Sequence, residues 1–182
     1  IFCCARRKRW TDVSGDWRQF TTLGATLALR PLAADDFDAL YAVACDPDIW
    51  AVHPEPLRWR LDVFTGFFVK ACNDGALIVA ERSSGAIVGS SRYYEWDPAI
   101  EEVAIGYTFL ARRLWGGPAN AELKRLMLDH AFQYAKRVWF HVGVDNIRSR
   151  RAMEKIGATL DRIEPRLSGG RMSMTAFYRI DR

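Results

Sequence analysis

The 182-residue chain is poor in the residues that several common chemistries require. It has four cysteines, Cys3, Cys4, Cys45 and Cys72, and no pair has CxxC spacing. Its three histidines, His53, His130 and His141, are scattered. No metal site and no disulfide framework are therefore expected, and a reducing, cytoplasmic setting is the default. No apolar run approaches the ~20 residues of a membrane-spanning helix, so no membrane partner is expected. No Gly-Lys-Ser/Thr closes a glycine turn, and no GxGxxG is present, which excludes a Walker loop and a dinucleotide fingerprint. Charge of neither sign dominates: 26 Lys and Arg against 22 Asp and Glu leave +4. So weak a surplus argues against a nucleic-acid partner and for a small anionic one.

What is present suits one well-filled domain. The chain is 49% hydrophobic and contains seven Trp, enough for a core with aromatic surface left over for a ligand or a homodimer contact. Residues 1–22 open on Ile1-Phe2-Cys3-Cys4-Ala5 and Arg6-Arg7-Lys8-Arg9. They are expected to be an N-terminal extension, disordered or docked, ahead of a single domain over 23–182.

Periodicity and turn residues predict the order β-α-α-β-β-β-α-β-α-β-β. A strand at 26–30 stops at Pro31. Helices follow from Asp35 and over 57–72. Strands over 76–80, 87–95 and 102–110 are joined by short turns and so form an antiparallel meander. A helix over 118–135, a strand over 138–142, a helix over 145–156 and strands over 158–164 and 173–180 complete the chain. Strands followed by alternating units give an α+β mixed sheet with helices packed on it.

The strand over 102–110 runs into Arg113-Leu114-Trp115-Gly116-Gly117 and then a helix. A helix N-terminus carries unpaired N–H groups and partial positive charge, and glycine lets a phosphate approach closely. Arg113-x-x-Gly116-Gly117, followed by Asn120-Ala121-Glu122, resembles the acetyl-CoA motif of the GNAT N-acetyltransferase superfamily. A second segment, Asn146-Ile147-Arg148-Ser149 with Glu154-Lys155-Ile156-Gly157, is similar to that superfamily's other signature. The branch most resembled is the ribosomal-protein-alanine (Rim-type) group, over about residues 26–181.

The resemblance implies a mostly antiparallel central sheet, helices on both faces and a splay between central strands. It implies acetyl transfer from acetyl-CoA to an amine by direct attack in a ternary complex. The acceptor would be a protein N-terminus or a small amine. The pantetheine arm would meet Thr108, Phe109 and Leu110, and the pyrophosphate would lie on Trp115, Gly116, Gly117, Ala119, Asn120 and Ala121. Arg113 belongs to the same motif, Asn146 would contact the pantetheine, and Arg148, Arg151 and Lys155 would face the 3′-phosphate side. Trp50, His53, Trp59, Tyr93, Tyr94 and Trp96 would fall on the acceptor side; His141, which alternates with Val138, Phe140 and Val142 near the end of a central strand, is a further candidate to approach the cleft.

Three positions depart from the family pattern. Pro118 replaces Gly or Ala and removes one N–H donor, though it suits a helix start. Ala104 stands where relatives carry a Glu base; Glu102, two residues earlier on the same strand face, is the replacement candidate. Met153 stands where many members carry a Tyr acid, leaving Ser149. The alternative is a CoA-binding module of this fold without transfer activity.

Overall fold

The computed structural model describes residues 15–168 and 171–182; Gly169 and Gly170, between the last two expected strands, lie outside them. The strands are β1 (Thr22–Leu23), β2 (Leu27–Pro31), β3 (Leu77–Glu81), β4 (Ile87–Asp97), β5 (Glu102–Leu110), β6 (Arg137–Gly143), β7 (Thr159–Ser168) and β8 (Arg171–Asp181). The helices are α1 (Phe37–Ala44), α2 (Leu61–Asn73), α3 (Ala119–Ala131) and α4 (Ile147–Lys155). The expected order holds, with β1 added as a two-residue strand too short to carry a pattern. The helix expected from Leu57 begins at Leu61, because Arg60 is still extended at φ −75°, ψ 138°.

The eight strands lie in the order β1-β2-β3-β4-β5-β6-β8-β7. Every neighbouring pair is antiparallel except β5 and β6. That parallel pairing covers only Glu102 with Arg137, Val103 with Val138 and Ala104 with Trp139. Beyond it β5 continues to Leu110 and β6 to Gly143 without pairing to each other. The sheet therefore opens as a V between its two central strands.

Alternation divides the side chains between two faces. On one face Leu27, Leu29, Val79, Ile105 and Phe140 pack with Leu123 and Met127 of α3 and Met153 of α4. On the other, Ile78 and Phe109 pack with Leu40 of α1, Phe64 and Phe68 of α2, and Trp50. Tyr93 is 1% exposed, and its hydroxyl donates to the Met127 carbonyl at 2.5 Å, pinning α3 to β4.

The described N-terminal residues pack on the α3 face. Trp17 stacks on Tyr134 at 4.8 Å and meets Trp96 edge-on at 5.1 Å. Phe20 is 8% exposed and lies parallel to the His130 ring at 3.8 Å. Replacing Trp17 by Ala removes this aromatic contact and is expected to cost about 2 kcal/mol. Urea unfolding of the two proteins, with an unchanged m-value, measures the loss.

Candidate active site

The V is shaped by a bulge in β5. Ser90 pairs with Phe109 and Arg92 with Gly106, so β5 spends three steps where β4 spends two. The extra residue is Tyr107, at φ 52°, a left-handed conformation that costs a non-glycine residue energy. Its ring lies 3.5 Å from the Arg92 guanidinium carbon and edge-on to Tyr94 at 5.2 Å. The bulge leaves Thr108 on the α3 face, where its hydroxyl meets Ser91 Oγ at 2.7 Å.

Past Leu110 the chain turns into α3. Gly116 has φ +74°, a left-handed residue that glycine adopts freely. Pro118 caps α3, with φ −76° and ψ −13°, and the helix starts at Ala119. Proline's fixed φ suits this position. Trp115 donates its indole N–H to the Leu110 carbonyl at 3.1 Å. Arg148, from the first turn of α4, stacks on the Trp115 ring at 3.6 Å, and partial burial lowers its pKa. The two sequence signatures thus touch across the mouth of the V. Asn146 caps α4 by accepting the Ser149 backbone N–H at 3.1 Å. Arg151 and Lys155 are exposed on the same helix. Arg113 is tied to Glu81 at 2.5 Å beside a cavity of about 670 Å³ that Gly117, Pro118 and Ala119 also line.

On the opposite face, β4, β5, β6, β7 and β8 border an open cleft of about 420 Å³ lined by Glu102, Ala104, Trp139, His141, Arg166 and Phe177 among others. The Glu102 carboxylate accepts from Arg137 Nη1 at 2.8 Å and from Trp139 Nε1 at 2.6 Å. His141 shares its Nδ1 with the Tyr94 hydroxyl at 2.8 Å, and Arg166 reaches over both to bond His141 and Glu95. Burial, aided by Arg166 and Arg162, pushes the His141 pKa down to about 3. Trp50 is 2% exposed and holds the Ala44 carbonyl with its indole N–H at 2.7 Å. Its ring meets Phe109 at 5.0 Å and the Arg58 guanidinium at 5.0 Å.

Two expected acceptor residues are not brought there. Tyr93 and Trp96 lie on the α3 face, against Met127 and Trp17. Strict alternation would put Trp96 beside Tyr94. Glu95, at φ 51°, and the register shift between Tyr94 and Asp97 break that alternation. Sequence reading also passed over Arg58, Arg92 and Lys124, each under 5% exposed. Lys124 carried a signal, since it sits three residues before Met127 on the apolar arc of α3. Among the described residues no cluster of His, Cys, Asp or Glu is suited to a metal, and no helix is long and apolar enough to cross a membrane.

The buried His141 makes stability pH-dependent. Its folded pKa lies below its unfolded value of 6.5, so the unfolded chain takes up the proton first. The contribution is whole above about pH 6.5 and is lost as pH falls toward about 3. His141→Gln is expected to flatten the fall in unfolding free energy between about pH 6 and about pH 4 by up to ~1.4 kcal/mol per pH unit. Denaturant titrations across that range read the slope directly.

A sequence model of the acetyltransferase (GNAT) domain matches residues 26–159. A search of curated protein sequences returns no match. Among solved structures, a GCN5-related N-acetyltransferase from Brucella melitensis is similar at TM-score 0.80 and 23% identity, over 90% of this chain and 79% of that one. A spermidine N-acetyltransferase from Vibrio cholerae, solved with CoA and spermine, is similar at TM-score 0.68 and 18% identity, over 87% and 96%. A protein assigned as a ribosomal-protein-serine acetyltransferase, also from Vibrio cholerae, gives TM-score 0.71 and 15% identity, over 91% and 99%. At such identities the structures establish a shared fold. The domain match, which spans the bulged strand, the Gly116 turn and the Asn146 helix, goes further: the chain belongs to the GNAT acetyltransferase family, whose domains take acetyl-CoA as co-substrate.

Proposed function

We propose that the protein transfers an acetyl group from acetyl-CoA to an amine by direct attack, with a protein N-terminus or a small amine as acceptor. The observation that carries this reading is the V between β5 and β6, which opens after three paired residues and runs toward the Gly116 turn. Backbone groups of β5 beyond Ala104 lack a strand partner on that side. A pantetheine arm presents amides of its own and satisfies them there, along Thr108, Phe109 and Leu110. The N–H groups of Gly116, Gly117 and the first turn of α3 then receive the pyrophosphate, with Pro118 contributing none. Arg148, Arg151 and Lys155 supply positive charge beside it.

The acceptor enters from the face lined by Tyr94, His141 and Trp50. Its amine must be neutral to attack the thioester carbonyl, and its proton must leave. Glu102 takes that proton, directly or through a water. Its carboxylate has lone pairs beyond those engaged by Arg137 and Trp139. His141, with its pKa pushed down to about 3, stays neutral and orients rather than accepts a proton. Ser149 presents a hydroxyl one helical turn from Asn146 and hydrogen-bonds the departing sulfur.

Two experiments test the reading. Acetyl-CoA at about 1 mM is expected to raise the melting temperature of the wild type, since it binds only the folded state. Gly116→Val is expected to lose that shift, because the left-handed backbone rejects a β-branched residue even though a Cβ there meets nothing within 4 Å. No shift in the wild type would refute acetyl-CoA binding. Glu102→Gln is expected to lower kcat on the order of 100-fold while leaving the KM for acetyl-CoA unchanged. Steady-state kinetics with an amine panel measures both, and an unaltered kcat removes Glu102 from the role of base.

A further inference from the structure

Lys124 is unlike any other basic residue described here. It lies on α3, is 3% exposed, and no carboxylate comes within ion-pair distance among the described residues. Its one hydrogen-bond acceptor there is Thr108 Oγ1 at 2.6 Å. Its Nζ also lies 5.6 Å from the centre of the Phe140 ring. Thr108 belongs to β5 and Phe140 to β6, so the ammonium bridges the two strands where they have just parted. Three donors with a single oxygen is an incomplete shell for a buried cation. A lysine so placed costs stability unless an anion or polar atom joins it in use.

The family's transfer needs a proton for the thiolate that leaves, and Met153 cannot give one. Met153 is 5% exposed and belongs to the same core cluster as Phe140 and Leu123, the residue next to Lys124. A serine hydroxyl is a far weaker acid than a thiol, so Ser149 can steady the sulfur but not protonate it alone. We infer that Lys124 is the proton donor to the leaving sulfur of CoA, lying under the thioester inside the V. The inference rests on the acetyl-transfer reading above.

The step balances simply. The amine nitrogen bonds to the carbonyl carbon, and the carbon–sulfur bond breaks with its electron pair on sulfur. One amine proton goes to Glu102, and the Lys124 ammonium gives a proton to the thiolate. Lysine then regains a proton as Glu102 returns its own, through water, so the net products are the amide and free CoA thiol. Burial pushes the Lys124 pKa down to about 7, which brings it close to that of a thiol. No charged side chain adds to that shift. Titratable groups sharing this face include Tyr93, bonded to the Met127 carbonyl, Tyr178, bonded to Arg150 of α4, and His130, stacked on Phe20 and bonded to the Trp17 carbonyl. Burial raises the pKa of Tyr93, so its hydroxyl stays protonated in this range.

The test uses CoA itself and the absorbance of its thiolate near the far ultraviolet. In the wild type the bound thiol is expected to ionise at least tenfold more readily than free CoA, and in Lys124→Met it is expected to revert to the free value. Methionine fills the same space without charge, so the variant should melt no lower than the wild type. With acetyl-CoA and a reactive amine, Lys124→Met is expected to lose kcat on the order of 100-fold at constant KM for acetyl-CoA. It is also expected to lose the decline in kcat that the wild type shows as pH rises past the lysine's pKa. A bound thiol that titrates as free CoA does in the wild type overturns the inference, as does an unchanged pH profile in the variant. Failure of CoA to bind at all overturns the acetyl-transfer reading itself, and is told apart by the melting shift.

Discussion

Everything at this site depends on where β5 and β6 stop pairing. Three residue pairs join them, the last at Ala104, and the bulge at Tyr107 follows three residues on. A backbone that does not pair there leaves polar groups that must be satisfied otherwise, by water or by a ligand with amides of its own. The strain at Tyr107 is offset locally: its ring packs on Arg92 and Tyr94. The same bulge sets which face each later residue serves. Thr108 turns to α3 and Phe109 to Trp50, so one distorted peptide sets what β5 presents to each face of the sheet.

The turn after β5 and the start of α4 are tied by a single stack, Arg148 on Trp115. A guanidinium over an indole is worth about 1 kcal/mol when partly exposed, enough to hold a geometry and weak enough to yield. It joins two segments separated by a whole helix and a strand. Their cooperation as one binding surface therefore comes from tertiary packing, although each motif reads as a local signal.

Much of this was legible before any coordinates. The order of strands and helices follows from periodicity and turn residues, and β5 has the span that its alternation implies. The Gly116 turn was legible from its setting, a glycine pair between a strand and a long helix, rather than from the glycines alone. What was hidden depends on distortion. Bulges at Tyr107 and Glu95 occupy residues with no special propensity for left-handed backbone, so the sequence gives no sign that Trp96 turns to the α3 face or that Arg92 lies under Tyr107. Lys124 was hidden differently: its place on the apolar arc of α3 is a faint signal against the rule that a helical lysine is solvated, and the packing of α3 on the V shows it to be enclosed.

The V also bears on solubility. An unpaired strand edge normally invites another chain to add to it, and proteins blunt such edges with charge, proline or short strands. Here the unpaired edge of β5 lies inside the sheet, with β6, β8 and β7 beyond it and α3 and α4 beneath. An edge bounded in this way is not the free outer edge of a sheet, which another chain could extend. The protein thus keeps an open ladder of hydrogen-bonding groups in its middle, away from the outer edges at β1 and β7.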